Sequence, residues 1–444
     1  MENNMKRTVK TGVIGLGSRG AGLLETMLAC SECDVVALCD LYEDRRDAGK
    51  KYVEETRGTT PALYENYKDL IADENVEAVV IISSWDMHTR MAVDSMKAGK
   101  YTALEVAGAY DIEDCWQLVR TYEETGTPFM LLENCCFDRF ELLTTAMARD
   151  GKFGKVVYCH GAYAHELRDE VLGGNVNRHY RLKNYMHRNC ENYPTHELGP
   201  IAKLLGINRG NKMVHLSSVS TRGGVGLETF AKDERNPDPS LRDSAFAQGD
   251  IVITTITCAG GEVITLRLDT TLPRSYSREF TIRGTKGFCQ QDQNLVMLEE
   301  NVNMHESFEP AFMMGKYLNS ADSYNEDYLP DVWKNITEEE KKLGHGGMDF
   351  LEFKAFFKAI LNGEEMPIDV YDAAAWMAIT PLSEQSIATG GTPQPIPDFT
   401  RGTWLLREKQ DVVPLPCPGK KAEGVKNAFG KSRAVAASEK AKKA

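Results

Sequence analysis

The sequence predicts an α/β protein, with a doubly wound parallel sheet followed by a second α/β domain on a large, open, mostly antiparallel sheet. Three observations carry this. Strand-like and helix-like segments alternate as far as Leu132, which is the pattern of βαβ units. Beyond Glu133 the strand-like stretches follow one another without regular helices between them, which favours antiparallel pairing. The chain has 444 residues, and at roughly 150 residues per domain this allows two or three domains with real cores.

The elements follow in order. Residues 9–15 are apolar and β-branched and form the first strand, and 19–29 the first helix. Residues 34–40 give the second strand, 67–73 a helix and 78–83 the next strand. A helix over 88–98, a strand over 100–104, a helix over 112–124 and a strand over 129–132 complete the parallel sheet. The second sheet takes strands over 156–164, 213–221, 250–257, 262–270 and 278–283. Residues 167–191 are polar and rich in His, Arg, Asn and Tyr, which suits a loop lining a site. Helices are expected over 348–361 and 370–389, folded back onto the second domain, and the proline-rich 392–398 along the surface. The domains are then 1–134 and 135–410, and the Lys- and Ala-rich end of 411–444 is read as a tail largely without fixed structure.

Composition excludes several function classes. The net charge is −13, with 26% charged and 42% apolar residues, ordinary for a globular protein but not for a binder of nucleic acid, which needs clustered positive charge. No apolar run reaches the ~18–20 residues that span a bilayer, and residues 1–10 are too polar for a signal peptide. Of eleven cysteines only Cys30 and Cys33 have C-x-x-C spacing, and no second pair completes a zinc site. All are read as reduced thiols, many of them buried, in a cytoplasmic protein.

Residues 11–20 place Gly15-Leu16-Gly17-Ser18-Arg19-Gly20, a G-x-G-x-x-G, between the first strand and first helix. Gly15 permits the tight turn, Gly17 lets backbone approach a pyrophosphate, and Gly20 permits close helix–strand packing. The helix amino terminus adds backbone donors for the phosphates. The second strand ends in Asp40, twenty residues past Gly20, placed to accept from an adenosine ribose and to repel the 2′-phosphate of NADP. The motif therefore points to NAD, although Arg45 and Arg46 keep NADP open. Polar residues also follow later strands: Ser83 through His88, Glu105 with Val106, and Glu133 with Asn134. Ligands of open α/β sheets bind at these carboxyl ends.

These residues resemble the Gfo/Idh/MocA family, a Rossmann domain joined to an open-faced α/β domain. Members commonly carry Glu-Lys-Pro where this chain has Glu105-Val106-Ala107, so the lysine that assists proton transfer in the dehydrogenases is absent. Tyr193-Pro194-Thr195-His196, the segment 272–278, Gly344-His345-Gly346-Gly347-Met348-Asp349 and 369–372 are similar to the NAD-dependent glycosidases of glycoside hydrolase family 109. Their type activity is α-N-acetylgalactosaminidase. The resemblance implies nucleotide contacts from Ser18, Arg19, Asp40, Trp85, Asp86, Met87, His88, Glu105, Val106 and Asn134. It also implies sugar contacts from Tyr163, Arg181, Tyr193, Pro194, Thr195, His196 and Tyr276. Two departures stand out: the family's usual export signal is absent, and Cys135-Cys136-Phe137 replaces more polar residues after Glu-Asn.

An ordinary glycosidase flanks the scissile bond with two carboxylates, and nothing in this sequence singles out such a pair. The implied route uses bound NAD⁺: oxidation at carbon 3 of the sugar, proton loss at carbon 2, departure of the glycosidic oxygen, water addition and re-reduction. Tyr163 is expected to transfer protons, once neighbours such as Arg181 lower its pKa. His196 is expected to assist at the oxidised hydroxyl, as the residue type that exchanges protons near neutrality. Glu133 orients the sugar or shares in proton transfer. His345, in a glycine-rich turn, reads as structural. His196-Glu197 is not H-E-x-x-H, because Pro200 takes the second histidine's place, so no metal is expected. The alternatives are an NAD-dependent sugar or polyol oxidoreductase of the same fold and a nucleotide-binding scaffold without chemistry. The expected partners are a small glycoside and a second copy of the chain through the open sheet, with neither nucleic acid nor membrane.

Overall fold

The computed structural model describes residues 7–106, 108–301 and 315–418. Ala107 and the end of the expected tail, 419–444, lie outside them. Six parallel strands form the first sheet: β1 (Val9–Ile14), β2 (Cys33–Cys39), β3 (Ala62–Tyr64), β4 (Ala78–Ile81), β5 (Tyr101–Glu105) and β6 (Phe129–Leu132). Their order is β3-β2-β1-β4-β5-β6, so the direction of winding reverses between β1 and β4. That reversal opens the crevice in which doubly wound sheets bind ligands. β1, β4 and β6 are almost wholly buried, as strands covered by helices on both faces must be.

The second sheet has eight strands. They are β7 (Val156–Ala164), β8 (Met213–Ser220), β9 (Ile251–Cys258), β10 (Val263–Asp269), β11 (Thr281–Gly284), β12 (Gly287–Gln290), β13 (Leu295–Leu298) and β14 (Gln394–Pro395). Their order is β13-β12-β11-β7-β10-β9-β8-β14. All pairs are antiparallel except β7 with β10, where Tyr163 pairs with Leu268. In β9 buried and more exposed residues alternate, which leaves one face of the sheet uncovered.

Several expectations change. Residues 167–191 are not a plain loop but carry three short helices, Arg168–Leu172, Gly174–Asn177 and Arg181–His187. The helix expected over 370–389 is two, Val370–Met377 and Ile379–Ala388. Pro381 explains the break, since it lacks an N–H and its ring clashes with the carbonyl four residues back, that of Met377. Within 392–398, Gln394 and Pro395 pair with β8 and Ile396 is buried. The helix Met348–Asn362 does not fold back onto the second sheet; it packs on Ser18–Ala29 and β1. Val370–Met377 likewise lies on Ile112–Thr125 and β6, whereas Ile379–Ala388 does fold back, onto β8 and β14. Buried residues line most sides of Met348–Asn362, and one sheet face cannot cover so broad a surface. Of the expected tail, residues 411–418 are described: Asp411 pairs with Arg149 at 2.8 Å, and Val412 and Val413 are buried.

Candidate active site

The fingerprint glycines close the turn after β1. Gly15 has φ +95°, and a Cβ there would meet the Ile82 carbonyl oxygen at 2.3 Å. A Cβ on Gly20 would stand 2.1 Å from the Gly15 carbonyl oxygen. Gly17 differs, since the nearest atom its Cβ would meet is Arg45 Nη1 at 3.5 Å. Its missing side chain leaves open space, as a closely approaching phosphate requires. The helix Ser18–Ala29 that follows has no side-chain cap and no acidic residue in its first turn. Its amino end therefore keeps unpaired donors and an unopposed dipole for an anion.

Asp40 ends β2 with one carboxylate oxygen accepting from Leu16 N at 2.7 Å and the other from Tyr42 N at 3.0 Å. A carboxylate has about four lone-pair sites, so acceptor capacity remains for a ribose hydroxyl. Arg46 donates to the Asp40 carbonyl at 2.6 Å and Arg45 to the Asn177 carbonyl at 3.2 Å. Both arginines are thus engaged with backbone. The residues present therefore fit an NAD. Asp40→Ala is expected to weaken NAD binding roughly ten- to hundredfold, the worth of a hydrogen bond to a charged group, and to erase discrimination against NADP. Titrations with both dinucleotides check this.

The ends of β4, β5 and β6 bring the remaining polar residues together. His88 is buried with Nε2 2.9 Å from the Ser83 carbonyl. Burial pushes its pKa down to about 4, so it is a neutral ring that braces the turn at Ser83–Trp85. Glu105 accepts from Arg19 Nε at 3.0 Å. Arg19 also binds Asp349 at 2.6 Å and 3.2 Å, and Asp349 accepts from Asn134 at 2.6 Å. Burial opposes ionisation of Asp349, but His345 and Arg19 hold its carboxyl well below the usual range. His345 Nδ1 lies 3.0 Å from Asp349 and 3.1 Å from Arg19. Val106, at the position of the dehydrogenase lysine, is a buried apolar side chain. The part of Asp349 in this network was not assigned from sequence; its only signal was its place in the motif 344–349.

Beside this network lies an aromatic cluster. The rings of Tyr163 and Tyr193 are 4.5 Å apart, and His196 stands edge-on to both, at 5.5 Å and 4.8 Å. Trp85 is 5.6 Å from Tyr193, which joins the cluster to the end of β4. Arg181 lies 5.0 Å over Tyr193 and 5.5 Å over Trp85. Tyr276 is set further out, half exposed, with its ring 5.2 Å from His165. The cluster forms because Tyr163 lies next to the end of β7, while Tyr193 precedes and His196 lies in the first turn of the helix Thr195–Leu205, which packs on β7. Pro194 sits at that helix's N-cap position and the Thr195 side chain is fully buried.

Glu133 is already engaged within the protein. It is fully buried, and both its oxygens meet His196 Nδ1, at 2.8 Å and 3.0 Å. An ionised carboxylate only accepts, so Nδ1 carries the hydrogen and Nε2 is the nitrogen directed away from Glu133. The phenols also differ from expectation. Burial pushes Tyr163 and Tyr193 above the ordinary tyrosine value, and for Tyr163 the charge of Arg181 opposes the rise without cancelling it.

Residues 137–406 match the model of the carboxyl-terminal domain of glycosyl hydrolase 109, and residues 9–132 match that of the oxidoreductase family with an NAD-binding Rossmann fold. A glycosyl hydrolase family 109 protein of Stenotrophomonas maltophilia is 35% identical over 90% of this chain and 91% of its own. An α-N-acetylgalactosaminidase of Tannerella forsythia is 34% identical over 90% of this chain and 88% of its own. Among solved structures, levoglucosan dehydrogenase in complex with NADH and levoglucosan superposes with TM-score 0.67 at 17% identity, over 88% of this chain and all of that one. At that identity the likeness shows the fold alone. With sequence relatives matched nearly end to end and an NAD-binding Rossmann domain set beside the Tyr163–His196 cluster, the chain belongs to glycosyl hydrolase family 109.

Proposed function

We propose that this family 109 enzyme cleaves N-acetylgalactosaminides or related glycosides with NAD as a recycled cofactor. One observation carries the reading: Tyr163, Tyr193 and His196 cluster beside the carboxyl ends of the Rossmann strands, while Glu133, Glu105 and Asp349 each already hold a partner within the protein. Glu133 holds His196, and Glu105 and Asp349 hold Arg19. Direct displacement needs two carboxyl groups facing the sugar from either side, and these three are not so placed. NAD, when bound, supplies reversible hydride uptake at carbon 3 of the sugar, which acidifies carbon 2.

The chain's own residues then handle protons and position. His196, oriented by Glu133, takes and returns the proton of the 3-hydroxyl through Nε2. Tyr163 removes the proton at carbon 2, and the nearby Arg181 charge favours its phenolate. The buried rings of Trp85 and Tyr193 exclude water from one side. Tyr276, half exposed, is placed to border the sugar or its leaving group.

Aryl α- and β-glycosides of N-acetylgalactosamine, incubated with enzyme and catalytic NAD in deuterated water, test the scheme. The expected result is phenol release with deuterium at carbon 2 of the sugar. Stoichiometric NADH without cleavage would instead favour the oxidoreductase reading, and cleavage without label would remove the elimination step. Two further readings belong here. The free cysteines, ten of them buried, support a reducing compartment such as the cytoplasm; among the described residues no helix is long and apolar enough to cross a membrane. The uncovered sheet face supports self-association. Val219 and Ile253 are exposed partners across β8 and β9, with Val214 and Val157 exposed on β8 and β7, and open sheet faces of this kind commonly need a partner.

A further inference from the structure

A segment of the second domain crosses the mouth of the dinucleotide crevice. Within residues 173–180, Gly174, Asn175, Arg178, His179 and Tyr180 border a cleft of about 410 Å³ that Tyr42, Ser84 and Asp86 line from the first domain. Tyr42 lies two residues past Asp40 at the end of β2, and Ser84 and Asp86 lie just past β4. Because β1 runs between β2 and β4 in the sheet, a segment bridging their ends passes over Gly15 and Gly17.

The segment is held there by contacts the proposed chemistry does not use. Arg178 donates twice to Asp44, at 3.1 Å and 2.7 Å, and its guanidinium lies 4.1 Å over the Tyr42 ring. Arg45, 4.9 Å from the same ring, donates to the Asn177 carbonyl at 3.2 Å. Arg178 has φ +55°, a conformation that costs a non-glycine residue steric energy and persists where contacts hold it. Immediately beyond, Tyr180 packs 4.9 Å from Trp85 and Arg181 lies over Tyr193. One short segment therefore reaches from the adenosine side of the crevice to the sugar side.

We propose that residues 173–180 are a retaining strap, latched by Arg178 onto Asp44 and Tyr42, which slows release of NAD. The inference rests on the NAD-recycling reading above and deepens it. A dehydrogenase must release its reduced cofactor at every turnover, whereas an enzyme that returns the hydride to its own product gains from never releasing it. Arg178 acts through the strap and is a positioning residue.

The full-length protein, loaded with adenine-labelled NAD and chased with excess unlabelled NAD, gives the release rate directly. Arg178→Ala is expected to release label about tenfold faster than the wild type with an unchanged thermal midpoint, a size within reach of a bidentate pair reinforced by cation–π contacts. The charge-swapped double variant Asp44→Arg/Arg178→Asp is expected to recover most of the slow release. Salt is expected to speed release from the wild type and to affect Arg178→Ala much less, because exposed ion pairs are screened. Equal release rates for wild type and Arg178→Ala, or a double variant as fast as the single one, would overturn the latch and leave the NAD reading standing. A wild type that binds no labelled NAD at saturation would overturn both.

Discussion

Replacing Tyr163 by Phe is expected to lower glycoside cleavage by about 10³-fold, within the usual range for a lost acid–base group, while NAD remains bound. The substitution keeps the ring, so the contacts with Tyr193 and His196 at 4.5 Å and 5.5 Å survive and the fold is not tested along with the chemistry. Only the hydroxyl is lost. The pH profile adds a second readout. Burial holds the phenol above its ordinary value, and Arg181 is the cation that opposes this. Below the pKa the phenolate fraction rises tenfold per pH unit, so the wild-type rate should climb with pH through neutrality. Arg181→Gln should push that limb to higher pH. A Phe variant cleaving glycosides at the wild-type rate would remove Tyr163 from the mechanism.

The first domain was legible because its signals are local. The spacing from Gly15 to Gly20, the strand before it and Asp40 at the end of the next strand all lie within β1, one helix and β2. Strand ends follow from where apolar runs stop, and so Trp85, Glu105 and Glu133 could be placed at the crevice in advance. The resemblance to family 109 supplied Tyr163, Arg181 and His196, whose contacts span the two domains.

The rest was hidden for physical reasons. The helices Arg168–Leu172, Gly174–Asn177 and Arg181–His187 have five, four and seven residues, too few for a periodicity to show or for a helix to stand alone. They form because tertiary contacts such as Tyr185 with Thr270 and Arg181 with Trp85 hold them. Arg19 and Asp349 are 330 positions apart, and no local pattern pairs such residues. The destination of Met348–Asn362 was hidden in the same way, since an apolar helix face does not say which surface will cover it. The break after Met377 did have a local signal, Pro381, which the reading of 370–389 as one helix passed over.

Glu133 was read as a group that meets the sugar or moves protons itself, and its burial against His196 gives the second large expected effect. Glu133→Gln should lower kcat by about 10²-fold or more without changing NAD affinity. The amide oxygen can still accept from His196 Nδ1, but it carries no charge to stabilise the imidazolium formed as the 3-hydroxyl proton arrives. The carboxylate also holds Cys135 N at 3.0 Å, so the turn after β6 loses an anionic acceptor at the same time. The sign of the pH effect follows from the carboxyl itself. Burial opposes its ionisation, yet the His196 charge and hydrogen bond, together with the Cys135 N–H, hold the carboxyl below its ordinary value of 4.5. A depressed folded pKa means stability that is fully present above about 4.5 and lost as pH falls through the lower folded value. Thermal midpoints of the wild type should therefore drop as pH is taken from neutrality below 4, and those of Glu133→Gln should drop less. If the variant keeps the wild-type kcat, His196 does not depend on Glu133 for its proton. If it keeps the wild-type acid sensitivity as well, the charge of the buried pair makes no contribution to the fold, and the hydrogen bond to His196 Nδ1, which glutamine still accepts, is all that position 133 supplies.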